Sequence, residues 1–501
     1  MLSSKLVGLI KFGVRNNIFR GFRAQPDFTK NRYQVERGFY NYLQEPHLRY
    51  FQDLLGYEER VLTNLSDLEK YNVDWFQQVR GSSAVVLKPK TTEEVSKIIV
   101  YCNQYKLALC TQGGNTGVAS GAVPVFDEII LSMELMNEII EIDENSGTVV
   151  CQAGVILEEL DNALAGKGLM VPLDLGSKGS CQIGGNVATN AGGMRVMRYG
   201  NMHGNTLGLE VVKANGEVLD CLTSVRKDNS GLHLKNLFIG SEGTLGIITK
   251  VALQCSTRPK SQHVTFLGLQ TFDKVLKTSK KAKHELGEIL SAMEVMDSHT
   301  IKWGKEHTNL VSPLDDYPFY LLIETAGSNV EHDSIKMNEF LESALKGHYV
   351  LNGVVTGEPS KIQSIWAIRE NLPQGFKDYG WCALYDLSLP VTEYFNIVDE
   401  TRDYLKNHVE DVFGFGHLGD GNLHLQVLAR KYDKWLADDL ETFLTKRILD
   451  MRGSMSAEHG LGFLKRKYLP IVNDHPSYTL MTDLKKLLDP NRILNPYKVF
   501  P

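Results

Sequence analysis

The stretch from Pro172 to Gly193, PLDLGSKGSCQIGGNVATNAGG, constrains the fold more than any other part of this 501-residue chain. It is rich in glycine, and nearly all its other residues are small or polar. Glycine loses much backbone entropy on folding and buries no side chain, so such a segment cannot build a core of its own. It is suited to a place where backbone N–H groups must approach a large flat or anionic ligand. The segment therefore predicts one wall of a cofactor site.

A second glycine-rich loop follows a predicted β-α-β unit. Residues 84–88 predict a buried strand, and Thr91 with Glu94 has the capping-box pattern that starts a helix. The next predicted strand runs directly into GGNTG, residues 113–117, a loop that by itself is equally consistent with a simple turn. With GSEGTLGIIT at 240–249, however, the three segments would surround a dinucleotide from several sides. No G-x-G-x-x-G motif with an acidic residue about 20 positions on lies between a strand and a helix, so flavin is favoured over nicotinamide.

The remaining patterns predict two regions that differ in glycine content and in the order of their strands and helices. In the first, strands are predicted at 107–110, 128–132, 148–152, 209–212 and 237–239, with a helix at 155–164. After about residue 260 glycine thins out, and strands at 264–269 and 318–325 alternate with helices at 271–285, 333–346 and 360–370, the last predicted helix being 432–451. We therefore divide the chain into a leader (1–26), a helical or irregular lead-in (27–79), a flavin-binding domain (80–259), a substrate domain (260–455) and a C-terminal segment (456–501).

The first 26 residues differ from the rest of the chain. They contain basic and apolar residues in alternation and no acidic residue before Asp27. A basic, amphipathic leader of this kind is typical of a mitochondrial transit peptide, with a disordered basic arm as the alternative. The sequence therefore predicts a mitochondrial protein.

Charge and cysteine content exclude other classes of protein. The net charge of −6 argues against a nucleic-acid partner, because nucleic acid selects basic surfaces. A helix needs about 18 to 20 consecutive apolar residues to cross a bilayer, and no apolar run in the sequence is that long. The seven cysteines are scattered and form no C-x-x-C pair, which fits a reducing compartment.

Two histidines flank a predicted hairpin turn. His417 and His424 lie on either side of Gly419-Asp420-Gly421-Asn422, and a four-residue loop at 419–422 would place 417 opposite 424. Cross-strand neighbours lie about 4.5 to 5.5 Å apart at Cβ, so the two imidazoles could share one metal ion. Two imidazoles and one carboxylate suit zinc, and Glu458 is the natural third ligand. The alternative is that one or both histidines are hydrogen-bonded structural groups.

Several motifs together resemble the FAD-binding PCMH (vanillyl-alcohol oxidase type) family, from about residue 71 to the C-terminus. They are GGNTG, the segment 172–193, RYGNMHGNTLGLEVV, NLFIGSEGTLGIIT, GHLGDGNLHL, SAEHGLG and LNPYKV. The resemblance implies an α+β fold with a two-subdomain FAD-binding domain, a substrate (cap) domain and a C-terminal segment that returns to the flavin. The implied FAD contacts are Gly113, Gly114, Asn115, Thr116, Gly117, Gly176, Gly179, Ser180, Ile183, Gly184, Gly185, Asn186, Thr189, Asn190, Gly192, Gly193, Ile247 and Asn495. Positions 111–117 hold no histidine, so we expect FAD to be bound non-covalently.

The resemblance also implies a reaction. Zinc on His417, His424 and Glu458 would hold a D-2-hydroxy acid by its 2-hydroxyl and 1-carboxylate. His459 would accept the hydroxyl proton, or only hydrogen-bond the substrate, while hydride passes to flavin N5. The implied substrate-binding residues are Arg369, Asn422, Gln426 and His459. For Arg369 the alternative is a surface ion pair, for example with Glu370. Relatives in the mitochondrial matrix pass electrons to electron-transfer flavoprotein. The resemblance therefore implies this flavoprotein as the electron acceptor and the matrix as the compartment.

Three positions depart from the family pattern. Pro373 stands where a threonine is usual, Leu384 where a lysine is usual, and Gln426 where an asparagine is usual. Pro373 is expected to end or kink the helix that carries Arg369. Losing a positive charge at Leu384 affects a dicarboxylate more than a monocarboxylate. The resemblance places D-2-hydroxyglutarate first among the expected substrates, and the three departures make D-lactate or another D-2-hydroxy acid the alternative. A zinc hydrolase and a catalytically inactive flavin-binding protein are the hypotheses from other classes.

Overall fold

The computed structural model describes residues 26–56, 58–308 and 310–501, so nearly all of the predicted leader lies outside the described residues. Within this part of the chain, strands form sheets of four, five, two and seven strands, with helices packed against them. The predicted α+β class is confirmed. No helix in the described ranges is both long enough and apolar enough to cross a membrane.

A small four-stranded sheet follows the N-terminal helices. Its region contains α1 (Thr29–Tyr33), α2 (Glu45–Leu55), β1 (Val61–Leu62), α3 (Leu65–Asn72), β2 (Val86–Leu87), α4 (Thr92–Gln104), β3 (Leu109–Gln112) and β4 (Ile129–Ser132). The strand order is β1-β2-β4-β3, and β2 and β3 both run parallel to β4. The predicted capping box starts α4: Thr91 Oγ1 accepts from the Glu94 N–H, and the Glu94 carboxylate accepts from the Thr91 N–H. The predicted β-α-β unit is confirmed.

A five-stranded antiparallel sheet shares one hydrophobic core with the first sheet. Its region contains β5 (Ile139–Asp143), β6 (Thr148–Gln152), α5 (Leu157–Ala165), β7 (Leu169–Met170), α6 (Ile183–Ala188), α7 (Val196–Tyr199), α8 (Met202–Asn205), β8 (Thr206–Val212), β9 (Val218–Cys221), β10 (Ile247–Gln254) and β11 (Ser256–Thr257). The strand order is β5-β6-β10-β8-β9, and β7 pairs separately with β11. The strand predicted at 237–239 is wrong: a 3₁₀ turn at Leu234–Leu237 leads into buried Phe238, because a short apolar run fits any buried segment equally well.

The seven-stranded sheet is made entirely of residues after 260. Its region contains β12 (Ser261–Leu269), α9 (Phe272–Glu285), β13 (Leu290–Asp297), α10 (Ser298–His307), β14 (Phe319–Gly327), α11 (Val330–Lys346), β15 (Asn352–Thr356), α12 (Pro359–Glu370), α13 (Leu372–Tyr379), β16 (Trp381–Ser388), α14 (Tyr394–Leu405), β17 (Asp411–His417), β18 (Asn422–Ala429) and α15 (Lys434–Asp450). The order is β15-β12-β14-β13-β17-β18-β16, with antiparallel neighbours throughout. Helices α9, α11, α14 and α15 cover one face, and α10, α12 and α13 cover part of the other. The second face carries the polar groups described below.

The C-terminal segment returns to the first sheet. After α15 come α16 (Leu469–Val472) and α17 (His475–Leu488), so the prediction that 432–451 is the last helix is wrong. The tail beyond α17 then lies beside edge strand β3. The Leu109 N–H donates to Ile493 O at 2.8 Å, and the Asn495 N–H donates to Leu109 O at 2.8 Å. The last residues of the chain thus pack next to the strand that leads into the 113–117 loop.

Candidate active site

His417 and His424 lie on the same face of the seven-stranded sheet. The hairpin loop spans 418–421, so His417 pairs with Asn422, and His424 pairs with Phe415. The predicted pairing of 417 with 424 is therefore wrong, because the loop begins one residue earlier than the turn residues suggest. The two histidines are instead diagonal neighbours, which also share a face. Their Nε2 atoms lie 3.4 Å apart, and both side chains are buried.

Glu458 completes a triangle of possible metal ligands. It comes from the irregular segment between α15 and α16, and its Oε1 lies 3.7 Å from His417 Nε2 and 3.8 Å from His424 Nε2. A tetrahedral zinc ion with bonds of about 2.0–2.1 Å places its ligand atoms about 3.3 Å apart. The structure therefore brings the three predicted metal ligands together at close to the spacing that zinc requires.

Asp386 holds the segment that carries Glu458 and His459. This fully buried carboxylate on β16 lies opposite His424, and its Oδ2 accepts from the backbone N–H groups of Glu458 at 3.0 Å and His459 at 2.9 Å. Its Oδ1 accepts from the Asn422 side chain at 2.7 Å. Asp386, His424, Glu458 and His459 can each offer one ligand atom within 4.8 Å of the others. Our sequence interpretation missed Asp386; its signal is a single acid on the inward face of a strand.

His459 lies at the open side of this group. Its Nε2 is 3.5 Å from Glu458 Oε1, and its Nδ1 is 3.5 Å from Asp386 Oδ2. The ring is nearly parallel to that of His424, at 5.8 Å between centroids. Its side chain is 19% exposed, whereas those of His417 and His424 are 6% and 8% exposed. His459 is therefore the histidine of the three with the best route to a ligand or to solvent.

Arg369 is buried beside the histidines and does not lie on the surface. It occupies the last turn of α12, its guanidinium is 4.6 Å from the Phe415 ring centroid, and its Nε donates to Glu294 Oε2 at 2.9 Å. The alternative of a surface ion pair is wrong. The helix ends at Glu370, and α13 begins with Pro373 in its first turn, so the prediction that Pro373 ends the helix is confirmed.

Glu294 is a second acid that sequence reasoning missed. It lies in the middle of β13, opposite His417, and is fully buried. Its Oε1 lies 2.5 Å from His417 Nδ1, and its other oxygen accepts from Arg369. One carboxylate thus contacts both a candidate metal ligand and a candidate substrate-binding residue.

The charges at the site follow from these contacts. Burial alone would lower the pKa of His417, but Glu294 and Glu458 raise that pKa well above its ordinary value. Burial, Arg369 and His417 together hold the pKa of His424 well below its ordinary value. Burial would raise the pKa of Glu458, but the neighbouring His417 and His459 side chains hold it well below its ordinary value. Glu458 is therefore ionised and His424 neutral, the forms in which each can bind a metal ion, whereas His417 must release a proton to become a ligand.

The wall beyond His424 is neutral. Gln426 and Leu384 face each other across β18 and β16, on the sheet face that carries the histidines. Gln426 also faces Phe413, and its Oε1 accepts from Cys382 Sγ at 3.8 Å. Nearer the histidines, Asn422 Oδ1 is buried and has no hydrogen-bond partner among the described residues. Two predicted substrate residues, Asn422 and Gln426, thus line the face on either side of His424.

The predicted flavin segments pack directly against each other. A Cβ atom at Gly114 would lie 2.0 Å from the carbonyl oxygen of Ser180, and one at Gly193 would lie 2.2 Å from that of Asp174. A Cβ atom at Gly184 would lie 2.5 Å from the Ala153 methyl. These glycines are required because the backbones approach too closely for any side chain.

Other glycines of the same segments face open space. No described atom lies within 4 Å of a Cβ built at Gly117, Gly176 or Gly185. In these segments and on the strand that leads into the 113–117 loop, three side-chain oxygens are buried without a hydrogen-bond partner in the described part of the chain: Thr111 Oγ1, Gln182 Oε1 and Asn186 Oδ1. An open cradle with unsatisfied buried polar atoms fits a polar dinucleotide such as FAD.

Several predicted cofactor residues also support the fold. Asn115 donates to Val73 O at 2.9 Å, and Asn190 Oδ1 accepts from the His203 N–H at 2.8 Å. The Asn495 side chain donates to the backbone oxygens of Glu242 and Gly121. Ile183 and Ile247 belong to the shared core, while Gly113, Thr116, Gly179, Ser180 and Thr189 lie in the loops and helix end around the cradle. For these residues contact with FAD stays a prediction.

The cradle and the metal triangle are neighbours. A Cβ atom at Gly192 would lie 3.7 Å from Glu458 Oε2. Arg195, three residues on, donates from two nitrogens to the carboxylate of Glu324 on β14. Trp366 of α12 donates to the same carboxylate at 2.9 Å. The glycine-rich segment is therefore attached to the sheet face that carries the histidines.

Comparisons with known proteins agree with this arrangement. Residues 83–222 match the FAD binding domain family, and residues 258–499 match the C-terminal domain of FAD linked oxidases. The mitochondrial D-2-hydroxyglutarate dehydrogenase of Rattus norvegicus is 47% identical over 94% of this chain and 88% of its own length. The D-2-hydroxyglutarate–pyruvate transhydrogenase of Saccharomyces cerevisiae is 42% identical over 90% and 93%. A structure of p-cresol methylhydroxylase has the same fold, with a TM-score of 0.72, 18% identity, and coverage of 90% of this chain and 96% of that one.

Proposed function

The chain belongs to the family of FAD-linked oxidases that includes the mitochondrial D-2-hydroxyglutarate dehydrogenases, and we propose that it oxidises D-2-hydroxyglutarate to 2-oxoglutarate. The observation that carries the proposal is the triangle of His417, His424 and Glu458 directly beside the glycine-rich cradle. Oxidising an alcohol requires one group to accept a proton and another to accept a hydride. FAD, bound non-covalently in the cradle, supplies the hydride acceptor.

We propose that His417, His424 and Glu458 hold a zinc ion. Their ligand atoms lie 3.4 to 3.8 Å apart, and Glu458 is ionised while His424 is neutral. Both histidines are buried and Glu458 has limited exposure, which favours a fixed site. Three protein ligands leave a coordination position open for substrate. When bound, zinc supplies Lewis-acid polarisation of the substrate hydroxyl and a charge that attracts its carboxylate.

His459 is the proposed proton acceptor. The buried carboxylate of Asp386 lies next to His459 Nδ1, which favours the tautomer with hydrogen on that nitrogen and leaves Nε2 free to accept a proton. The same carboxylate stabilises the positive charge that His459 gains. Because the His459 side chain is partly exposed, the proton can then pass to solvent.

Arg369 is the proposed partner of a substrate carboxylate. Its guanidinium is oriented from one side by Glu294 and from below by the Phe415 ring. A planar guanidinium is suited to bind a carboxylate through two parallel hydrogen bonds. Asn422 and Gln426, which lie further along the same face, would contact the remaining polar atoms of the substrate.

D-lactate is the second candidate substrate. The observation that favours it is the pairing of Leu384 with Gln426, two neutral side chains that offer a second carboxylate no positive charge. D-2-hydroxyglutarate is placed first because close relatives act on it by name.

Anaerobic titration of the purified, FAD-reconstituted protein with a panel of D-2-hydroxy acids tests these proposals. Bleaching of the flavin absorbance by D-2-hydroxyglutarate is the expected result. Steady-state kinetics on the same panel should then give a higher kcat/KM for D-2-hydroxyglutarate than for D-lactate. A colourless protein would favour a zinc hydrolase, and a yellow protein that no substrate bleaches would favour an inactive flavin-binding protein. Treatment with a chelator should abolish bleaching while leaving FAD bound, and His424→Ala should reproduce that effect.

We propose the mitochondrial matrix as the compartment, since the similar rat protein is named as mitochondrial and the leader predicts import. Two acceptors for the electrons are then candidates. Electron-transfer flavoprotein is implied by the family, whereas the name of the yeast relative indicates pyruvate. Stopped-flow mixing of the reduced protein with each acceptor distinguishes them: the physiological acceptor reoxidises the flavin within one turnover time.

A further inference from the structure

Glu294 is shared between two functional groups of the site. Its two carboxylate oxygens lie 2.5 Å from His417 Nδ1 and 2.9 Å from Arg369 Nε. The side chain is fully buried in the middle of β13, so water does not compete for either oxygen. His417 and Arg369 lie on different elements, β17 and α12, and this carboxylate is a direct contact common to both.

Each contact fixes the direction of its partner. A hydrogen bond from His417 Nδ1–H keeps the proton on that nitrogen and leaves Nε2, which faces Glu458, as the ligand atom. The bond from Arg369 Nε holds the guanidinium against the Phe415 ring. Without Glu294, the imidazole could take the other tautomer and the guanidinium could rotate away.

We propose that Glu294 is a positioning residue that couples the metal site to the substrate-binding arginine. This inference rests on the proposed function, because it takes His417 as a zinc ligand and Arg369 as the carboxylate partner. One carboxylate sets both geometries, so a single change at Glu294 alters zinc affinity and carboxylate affinity together. A purely structural carboxylate would alter neither while the protein stays folded.

Asp297 provides a matched control on the same strand. It is also a buried acid, and it bonds Arg402, the Gly414 N–H and the first turn of α10, away from the histidines. Asp297→Asn removes the same charge from the same strand and keeps a side chain that can cap the helix. Its loss of stability should resemble that of Glu294→Gln, without an effect on the site.

The test measures two affinities that do not require turnover. Zinc affinity is measured by competition with a chelator in the absence of substrate, and 2-oxoglutarate affinity by perturbation of the flavin spectrum in metal-free protein. Glu294→Gln leaves one accepting oxygen for two donors, and we expect both affinities to fall by about 10- to 100-fold. Asp297→Asn should change neither.

The outcomes separate this inference from the proposed function. If Glu294→Gln binds FAD but changes only one affinity, or neither, the shared role is overturned. If that variant does not retain FAD, Glu294→Asp, which keeps the charge but shortens its reach, replaces it with the same two criteria. If wild-type protein and His424→Ala bind zinc equally weakly, the metal site itself is wrong and the proposed function fails first.

Discussion

Arg195 and Glu324 form a bidentate ion pair that attaches the glycine-rich segment to the middle of the seven-stranded sheet. Arg195 Nε and Nη2 lie 2.7 and 3.0 Å from the two carboxylate oxygens, and Glu324 is fully buried. The same arginine also pairs with Asp174, at the start of the glycine-rich segment. The pair therefore fixes how the proposed flavin wall sits against the sheet that carries the histidines.

Arg195→Ala should strongly destabilise the protein. The substitution leaves Glu324 as a buried, unpaired charge, which typically costs about 3 to 5 kcal/mol. Urea unfolding monitored by tryptophan fluorescence measures the change. The control is Arg447→Ala, which removes an equally bidentate pair with Glu400 whose side chains are 33% and 40% exposed. That pair should contribute less than about 1 kcal/mol, and similar losses in the two variants would contradict the argument.

The effect of Arg195→Ala should depend on pH. Burial alone raises the pKa of Glu324, but Arg195 holds it below its ordinary value of 4.5. A lowered folded-state pKa stabilises the protein above the unfolded-state value, and this stabilisation is lost as the pH falls through the folded value. In the variant, burial acts without the countercharge, so the pKa rises and protonation relieves the penalty. The stability gap between the two proteins should therefore narrow from pH 7 to about pH 5; a constant gap would show that Glu324 is not the cause.

Two glycine substitutions in the proposed flavin wall should behave differently. Gly114→Ala places a methyl group against the Ser180 carbonyl, so it should prevent folding or strongly lower stability. Gly185→Ala adds a methyl within α6 that meets no described atom, and it should raise apoprotein stability by up to about 1 kcal/mol. If the open space holds FAD, the same substitution should weaken FAD binding at least about 10-fold, measured by flavin fluorescence. Unchanged FAD affinity would place the cofactor elsewhere.

Leu384→Lys should shift substrate preference toward the diacid. The new ammonium would extend from β16 beside Gln426, where a second carboxylate of the substrate has no cationic partner among these side chains. A charge-assisted hydrogen bond is worth about 1.5 to 3 kcal/mol, so the ratio of kcat/KM for D-2-hydroxyglutarate to that for D-lactate should rise at least about 10-fold. The control is Val355→Lys, which adds the same charge on the exposed strand β15. Leu387→Lys is unsuitable as a control because Leu387 is buried in the core. An equal rise in kcat/KM for both substrates would contradict the proposal that residue 384 faces the second carboxylate of the diacid.

Local patterns predicted much of the fold. The capping pair Thr91 and Glu94 marked the start of α4, and the strand at 148–152 has the predicted bounds. The turn residues 419–422 located the hairpin but not its register, because turn composition does not determine whether the loop begins at 418 or 419. A shift of one residue in the loop was enough to change which residue lies opposite each histidine.

The residues that orient the site could not be predicted in the same way. Glu294, Asp386 and Arg195 each contact at least one partner more than 70 residues away in sequence, and none belongs to a local motif. The available signal was weak but physical. Glu294 lies between apolar residues in the middle of LSAMEVMD, whose residues are all buried, and a charge in such a strand requires a partner from elsewhere in the fold.

The contact between Leu494 and Leu109 has a consequence for how the protein is made. Strand β3 is an edge strand, and it acquires its outer neighbour only from the final residues of the chain. During synthesis, β3 and the loop after it are made early, yet β3 lacks this outer neighbour until residues 493–495 have left the ribosome. We therefore expect cofactor loading to wait for residues 493–495, so that a nascent chain stalled before residue 490 does not bind the cofactor.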